Sequence, residues 1–95
     1  MIGKKNLIQS ERKRIMNFAS ALFSLMRGHK IGRKHWTGYW ILTKDDNGKD
    51  VVEMHCYDGK VINLLDTEDV LYTLSNIASD DWEIKDDYHA TKEQK

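Results

Sequence analysis

Residues 39–65 read YWILTKDDNGKDVVEMHCYDGKVINLL, and this segment decides the fold class. Asn47-Gly48 is a strong hairpin signal, and Asp58-Gly59 supplies a second two-residue turn. The flanking residues are rich in β-branched and aromatic side chains, which favours strands near 39–43, 51–57 and 60–65. Three strands joined by two tight turns predict an antiparallel meander.

An amphipathic helix over residues 17–27 precedes the meander. Four apolar side chains follow the spacing i, i+3, i+4 and i+7: Phe18, Ala21, Leu22 and Leu25. Asn17 is a favoured N-cap, and Gly28 stands where a left-handed C-terminal cap is needed. Residues 30–43, KIGRKHWTGYWILT, alternate and are rich in strand formers, and Gly38 divides them into a strand near 30–35 and another near 39–43.

A second helix and a last strand follow the meander. The helix covers DVLYTLSNIA, residues 69–78, with Asp66 or Thr67 as its cap and acidic residues in its first turn. DWEIK, residues 81–85, predicts a short strand. The predicted fold class is therefore α+β, a small twisted antiparallel sheet with two packed helices.

The length of 95 residues allows one domain. We place it at 16–88, after a basic N-terminal leader at 1–15 and before a frayed tail at 89–95. A core this small contributes only about 3 to 5 kcal/mol of net folding stability, so burial of further apolar surface between subunits would stabilise the protein. We therefore expect a homo-oligomer.

The zero net charge conceals a division along the chain. Residues 1–44 carry ten Lys and Arg against one acid, whereas residues 45–95 carry five against fourteen acids. This asymmetry favours an anionic ligand near the first half or head-to-tail contact between subunits. A solvated charge distribution without function is the alternative.

The chain has one cysteine, and its start lacks an apolar run of signal-peptide length, so we expect a protein of the reducing cytoplasm. No apolar run is long enough to span a membrane, so we expect a soluble protein without a membrane partner.

Residue patterns for catalysis and metal binding are weak. His55 and Cys56 are neighbours on a predicted strand and point to opposite faces, so they cannot ligate one metal together. Residues 45–56 lack the glycine and glutamate positions of a calcium loop. No phosphate loop or nucleophile motif is present, so we expect neither an enzyme nor a cofactor.

The most informative segment is RKHWTGYW, residues 33–40. It combines three aromatic rings, two fixed cations and a glycine, the composition of a base-stacking site. Trp36 would stack on a base, while Arg33 and Lys34 would meet phosphate oxygens. The alternative is structural, with Trp36 and Trp40 filling the core.

Residues 16–43, MNFASALFSLMRGHKIGRKHWTGYWILT, resemble the opening of the second type of phage-encoded Thoeris anti-defence sponges. The resemblance extends to about residue 85. Its helix start matches at Met16 and Phe18, and its helix end at Arg27 and Gly28. Its strand start matches at Arg33, Trp36 and Gly38, and its last strand at Asp81-Trp82. Three departures are the leader, Thr37 where asparagine is usual, and the lack of proline before the second helix.

The resemblance implies a protein that sequesters cyclic nucleotide immune signals in the host cytoplasm without cleaving them. Glycocyclic ADP-ribose of Thoeris is the implied ligand, and cyclic dinucleotides of CBASS are a second class. Homotetramers with pockets between subunits are also implied.

The ligand-binding residues expected from the segment and the resemblance together are Asn17, Phe18, Arg33, Lys34, Trp36, Thr37, Gly38, Tyr39, Trp40 and Trp82. A nucleic-acid or protein-interaction module that uses the basic half is the alternative function, although the acidic second half makes nucleic acid unfavourable. Inhibition of a host enzyme by contact is a third class.

Overall fold

The computed structural model describes residues 14–86. The frayed tail, all but the last two residues of the basic leader, and the end of the predicted domain lie outside the described residues. Within them, the elements follow the order helix, four strands, helix, strand.

Helix α1 spans Phe18–Met26, close to its predicted bounds. The Asn17 side chain accepts a hydrogen bond from the backbone N–H of Ser20 at 3.0 Å, as an N-cap residue does. Gly28 has a φ of 97°, which confirms the left-handed C-terminal position.

Five strands form one antiparallel sheet: β1, Ile31–Arg33; β2, Tyr39–Lys44; β3, Asp50–His55; β4, Val61–Asn63; and β5, Trp82–Ile84. Their order is β4-β3-β2-β1-β5. The predicted meander is confirmed, and β5 pairs with β1 at its far side.

The two hairpin loops are longer than the predicted two-residue turns. Backbone bonds from Asp45 N to Lys49 O and from Cys56 N to Lys60 O close loops of three residues. Gly48 and Gly59 end these loops at φ 79° and 91°, the usual geometry of a type I turn followed by a left-handed glycine.

Two other predictions near the second helix were wrong. The strand predicted at 60–65 ends at Asn63, because the Asn63 side chain accepts from Leu65 N and starts a 3-10 turn over Leu64–Asp66. Helix α2 spans Val70–Ile77, and its cap is Asp69 rather than Asp66 or Thr67. The Asp69 carboxylate accepts from Tyr72 N at 3.0 Å, so this acid is the cap and not a residue of the first turn.

The core lies on one face of the sheet. Its buried apolar residues are Ala21, Leu25, Ile31, Trp40 and Trp82. Helix α1 contacts β1, β2 and β5. Helix α2 is attached through Ile77, which packs against this core, and through polar contacts that include a hydrogen bond from the Trp82 indole to the Asn76 carbonyl at 2.9 Å. No helix among residues 14–86 is long and apolar enough to cross a membrane.

Candidate ligand-binding cleft

A cleft of about 540 Å³ separates α2 from the sheet, within the size range of small-molecule sites. Strands β2, β3 and β4 form its floor, and residues 35–38 form one end. Its lining residues are His35, Trp36, Thr37, Gly38, Trp40, Met54, His55, Cys56, Tyr57, Ile62, Thr67, Tyr72, Thr73 and Asn76.

One wall of the cleft is aromatic and apolar. The Trp36 ring lies 6.0 Å from that of Trp40 and 5.3 Å from that of Trp82, measured between centroids. Trp40 and Trp82 are buried, whereas Trp36 is only half-buried. Trp36 therefore presents a supported ring to the cleft.

A buried lysine fixes the segment that carries Trp36. The Lys85 ammonium group donates to the Trp36 carbonyl at 2.8 Å and to the Glu83 carboxylate at 3.0 Å. The backbone N–H of Trp36 donates to the Arg33 carbonyl at 2.9 Å, closing a turn directly after β1. This turn explains why the strand predicted at 30–35 ends at Arg33.

Gly38 connects this turn to β2 in a space that excludes a side chain. A Cβ atom at Gly38 would overlap the carbonyl oxygen of His55 on the adjacent strand. The close approach of the two backbones thus requires glycine at this end of the cleft.

The wall formed by α2 carries polar groups beside the Tyr72 ring. The buried residues of this helix are Thr73 and Asn76. The Thr73 hydroxyl donates to the Asp69 carbonyl at 3.1 Å and lies 3.3 Å from the Thr67 hydroxyl. The helix thus turns hydrogen-bonding groups inward.

Arg33 does not line the cleft, but it forms hydrogen bonds that fix the position of this wall. Its guanidinium donates twice to the Asp81 carboxylate, at 2.7 and 3.1 Å, and once to the Asn76 side-chain oxygen at 2.9 Å. These hydrogen bonds hold the pKa of Asp81 below its ordinary value of 3.8, outweighing the opposing effect of burial. The same contact raises the pKa of Arg33.

The structure places four predicted site residues together in the cleft lining: Trp36, Thr37, Gly38 and Trp40. Arg33 does not line the cleft and is bound to Asp81 and Asn76 instead. Lys34 is exposed beside the lining residue His35.

The other four predicted site residues do not line the cleft. Asn17 caps α1, and the Phe18 ring packs edge-on against Trp82 at 5.1 Å. Trp82 has no exposed surface, so it belongs to the core.

Tyr39, the fourth, is separated from Trp40 by strand alternation and stacks on His55 with centroids 4.5 Å apart. Burial raises the pKa of the Tyr39 phenol, and the charge of Glu53 adds to the effect.

The predicted site did not include the wall formed by Thr67, Tyr72, Thr73 and Asn76. The sequence contains one signal for it: polar residues 73 and 76 are three apart and therefore on one helix face, in a helix whose other residues, apart from Ser75, are aliphatic or aromatic. Which face of α2 points inward depends on its contacts with Arg33 and Trp82, which are distant in sequence.

No protein-family model matches this chain, and no curated protein matches it.

The lining combines aromatic rings with hydrogen-bonding groups, and its two histidines lie beside carboxylates outside the lining: His35 is 3.8 Å from Asp81 and His55 is 3.2 Å from Glu53. None of the lining residues is a carboxylate, and two are histidines. The part of the chain between residues 14 and 86 contains no group of three His, Cys, Asp or Glu residues that could hold a metal. The arrangement offers stacking and hydrogen bonding to a bound molecule.

Proposed function

We propose that this protein binds a cyclic nucleotide immune signal, of the type of glycocyclic ADP-ribose or a cyclic dinucleotide, and sequesters it intact. One observation carries the proposal: the half-buried Trp36 ring and the buried polar groups of α2 line the same cleft. A purine in this cleft would stack on Trp36 and form hydrogen bonds with α2.

The charge distribution at the cleft is compatible with a phosphate group. Lys34 is exposed next to His35, which lines the cleft, and a carboxylate is absent from the lining. No ion pair within residues 14–86 includes Lys34, so a phosphate outside the cleft would interact with it without displacing any of those pairs. Arg33 would have to leave Asp81 to make such a contact, so we assign the phosphate interaction to Lys34.

Sequestration without reaction is part of the proposal. The lining residues serve stacking and hydrogen bonding, and the ligand would dissociate unchanged. A decoy in the host cytoplasm must bind more tightly than the receptor of the signal, which suggests nanomolar affinity, or about −12 kcal/mol.

We also propose that the protein is a homo-oligomer, with a tetramer as the form that the resemblance suggests. The apolar side chains of and near α2 support this, because they face solvent: Leu65 is 85% exposed, Leu71 77% and Leu74 52%. Apolar surface of this kind typically marks an interface. A second subunit there would cover apolar surface next to the cleft.

Mixing and recovery would test the function. Purified protein is incubated with glycocyclic ADP-ribose, removed by filtration, and then heated to release the ligand for mass spectrometry. We expect depletion of the free ligand, followed by recovery of the intact molecule. Recovery of a cleaved product, or no depletion of either this ligand or cyclic dinucleotides, would refute sequestration.

A further inference from the structure

The orientation of the Asn76 side chain is fixed by its partner. A guanidinium group has only donors, so the Asn76 side-chain oxygen must face Arg33 Nη1, which lies 2.9 Å away. The amide nitrogen therefore points away from Arg33. Asn76 is 2% exposed and lines the cleft, and none of residues 14–86 accepts a hydrogen bond from this nitrogen.

No fully buried side-chain nitrogen or oxygen of the described residues lacks a hydrogen-bond partner. An Asn76 amide nitrogen without a partner among residues 14–86 is therefore not completely buried by them, and the cleft is the space that Asn76 borders. It supplies a hydrogen-bond donor with a fixed direction.

Thr67 and Thr73 together provide a hydrogen-bond acceptor, in contrast to the donor that Asn76 provides. The Thr73 hydroxyl proton is used in the bond to the Asp69 carbonyl. In the 3.3 Å contact between the two hydroxyls, Thr67 must then be the donor and Thr73 the acceptor. Because the Thr67 hydroxyl proton is used in this contact, the Thr67 oxygen can only accept a hydrogen bond from a ligand in the cleft.

We propose that Asn76 and Thr67 together recognise a ligand edge that carries an acceptor beside a donor, with Arg33 as the positioning residue for Asn76. Amide and amidine edges of nucleobases have this chemistry. This inference rests on the proposed function and specifies which part of the nucleotide enters the cleft: the base, with its hydrogen-bonding edge towards α2 and its face towards Trp36.

The variant Asn76→Asp replaces the donor with an acceptor while keeping the size and the oxygen that Arg33 binds. With glycocyclic ADP-ribose as the probe, we expect a loss of affinity of about tenfold or more, because an acceptor then faces an acceptor. Thr67→Val should also weaken binding. Ser75→Ala is the matched control, because Ser75 is exposed on the other side of α2 and does not line the cleft.

A double-mutant cycle separates the role of Arg33 from direct phosphate contact. If Arg33 acts through Asn76, Arg33→Met weakens binding in the wild-type background but has little further effect in Asn76→Asp. Arg33→Lys should restore part of the affinity lost in Arg33→Met. Circular dichroism of each variant establishes that it is folded before affinity is compared.

The outcomes distinguish this inference from the function on which it rests. Tight binding by wild type with unchanged affinity in Asn76→Asp overturns the recognition of the base edge and leaves sequestration intact. Additive losses for Arg33→Met and Asn76→Asp overturn the positioning role. No binding of the probe by wild type overturns both the inference and the proposed function for this ligand.

Discussion

Trp36, Trp40 and Trp82 are in mutual contact. Trp36 and Trp40 line the cleft, but Trp36 is half-buried whereas Trp40 is only 4% exposed and Trp82 has no exposed surface. Sequence reasoning included all three in the site and left a core role open as an alternative. Composition could not separate these roles, because burial of an indole depends on which strands become neighbours. Pairing of β5 with β1 places Trp82 opposite Arg33 and inside the core.

Trp36→Ala and Trp82→Ala should have different consequences. Trp36→Ala should weaken ligand binding by about tenfold or more, since a stacked base contributes about 1 to 3 kcal/mol, and leave the fold intact. Trp82→Ala should reduce the free energy of unfolding by about 3 to 5 kcal/mol, because it leaves a cavity and removes the indole hydrogen bond to the Asn76 carbonyl, which keeps its bond from Ser79 N. Calorimetric titration and urea denaturation measure the two effects. Unchanged affinity in folded Trp36→Ala would remove Trp36 from the site.

The Arg33–Asp81 pair predicts a pH dependence of stability. The pKa of Asp81 is lower in the folded protein than its ordinary value of 3.8. Its contribution to the free energy of unfolding is therefore fully present above pH 3.8 and is lost as the pH falls through the pKa of the folded state. Asp81→Asn should therefore lose less stability than wild type between about pH 5 and 2. Urea denaturation at a series of pH values measures this.

Asp86 leaves a residual pH dependence in both proteins. Burial acts to raise its pKa, but hydrogen bonds from Lys30 N and His29 outweigh burial and lower it. Because this contribution is common to wild type and Asp81→Asn, the difference between the two proteins isolates Asp81. Identical pH profiles would contradict a stabilising role for the Arg33–Asp81 pair.

Gly38→Ala should damage the cleft and the fold together. The added methyl group overlaps the His55 carbonyl, so β2 and β3 must separate locally at a cost of about 1 to 3 kcal/mol. Thr37→Ala is the control, because Thr37 is exposed. Thermal denaturation should show a lower melting temperature for Gly38→Ala alone. Equal melting temperatures would show that the strands accommodate the methyl group.

At the scale of elements, the parts determined by local chemistry were predictable. The N-cap and C-terminal glycine of α1 and the turn signals of the meander depend on residues a few positions apart. The 3-10 turn at 64–66 was missed because Leu64 and Leu65 have strand-like composition, while the Asn63 side chain bends the backbone. The orientation of α2 was not predictable, because most of its apolar residues face outward.

The proposed homo-oligomer is expected to form through the exposed side of α2. Leu71→Glu should dissociate it, because the substitution places a charge in the apolar contact. The fold of the subunit should persist, since Leu71 is 77% exposed within it. Light scattering coupled to size-exclusion chromatography measures the mass, with Ser75→Ala as the matched control on the same helix. A monomeric wild type, or an unchanged oligomer in Leu71→Glu, would contradict an interface at α2.

At the scale of the whole molecule, the basic and acidic halves of the sequence do not form two separate surfaces within residues 14–86. Strand β1 of the first half lies between β2 and β5, so cations of one half meet acids of the other. Arg33 pairs with Asp81, and Lys44 pairs with Asp50 at 2.7 Å. The charge asymmetry is therefore partly neutralised by folding, a consequence of topology that net charge along the chain could not reveal.

The most direct measurement of where a nucleotide binds is an NMR titration of the ¹⁵N-labelled protein with glycocyclic ADP-ribose. Side-chain signals report the two walls separately: the indole of Trp36 and the amide of Asn76. We predict that both shift and saturate together, with the Asn76 amide protons moving in the direction of a new hydrogen bond. Shifts confined to the opposite face of the sheet around Tyr39, with both signals unchanged, would contradict binding between α2 and the sheet.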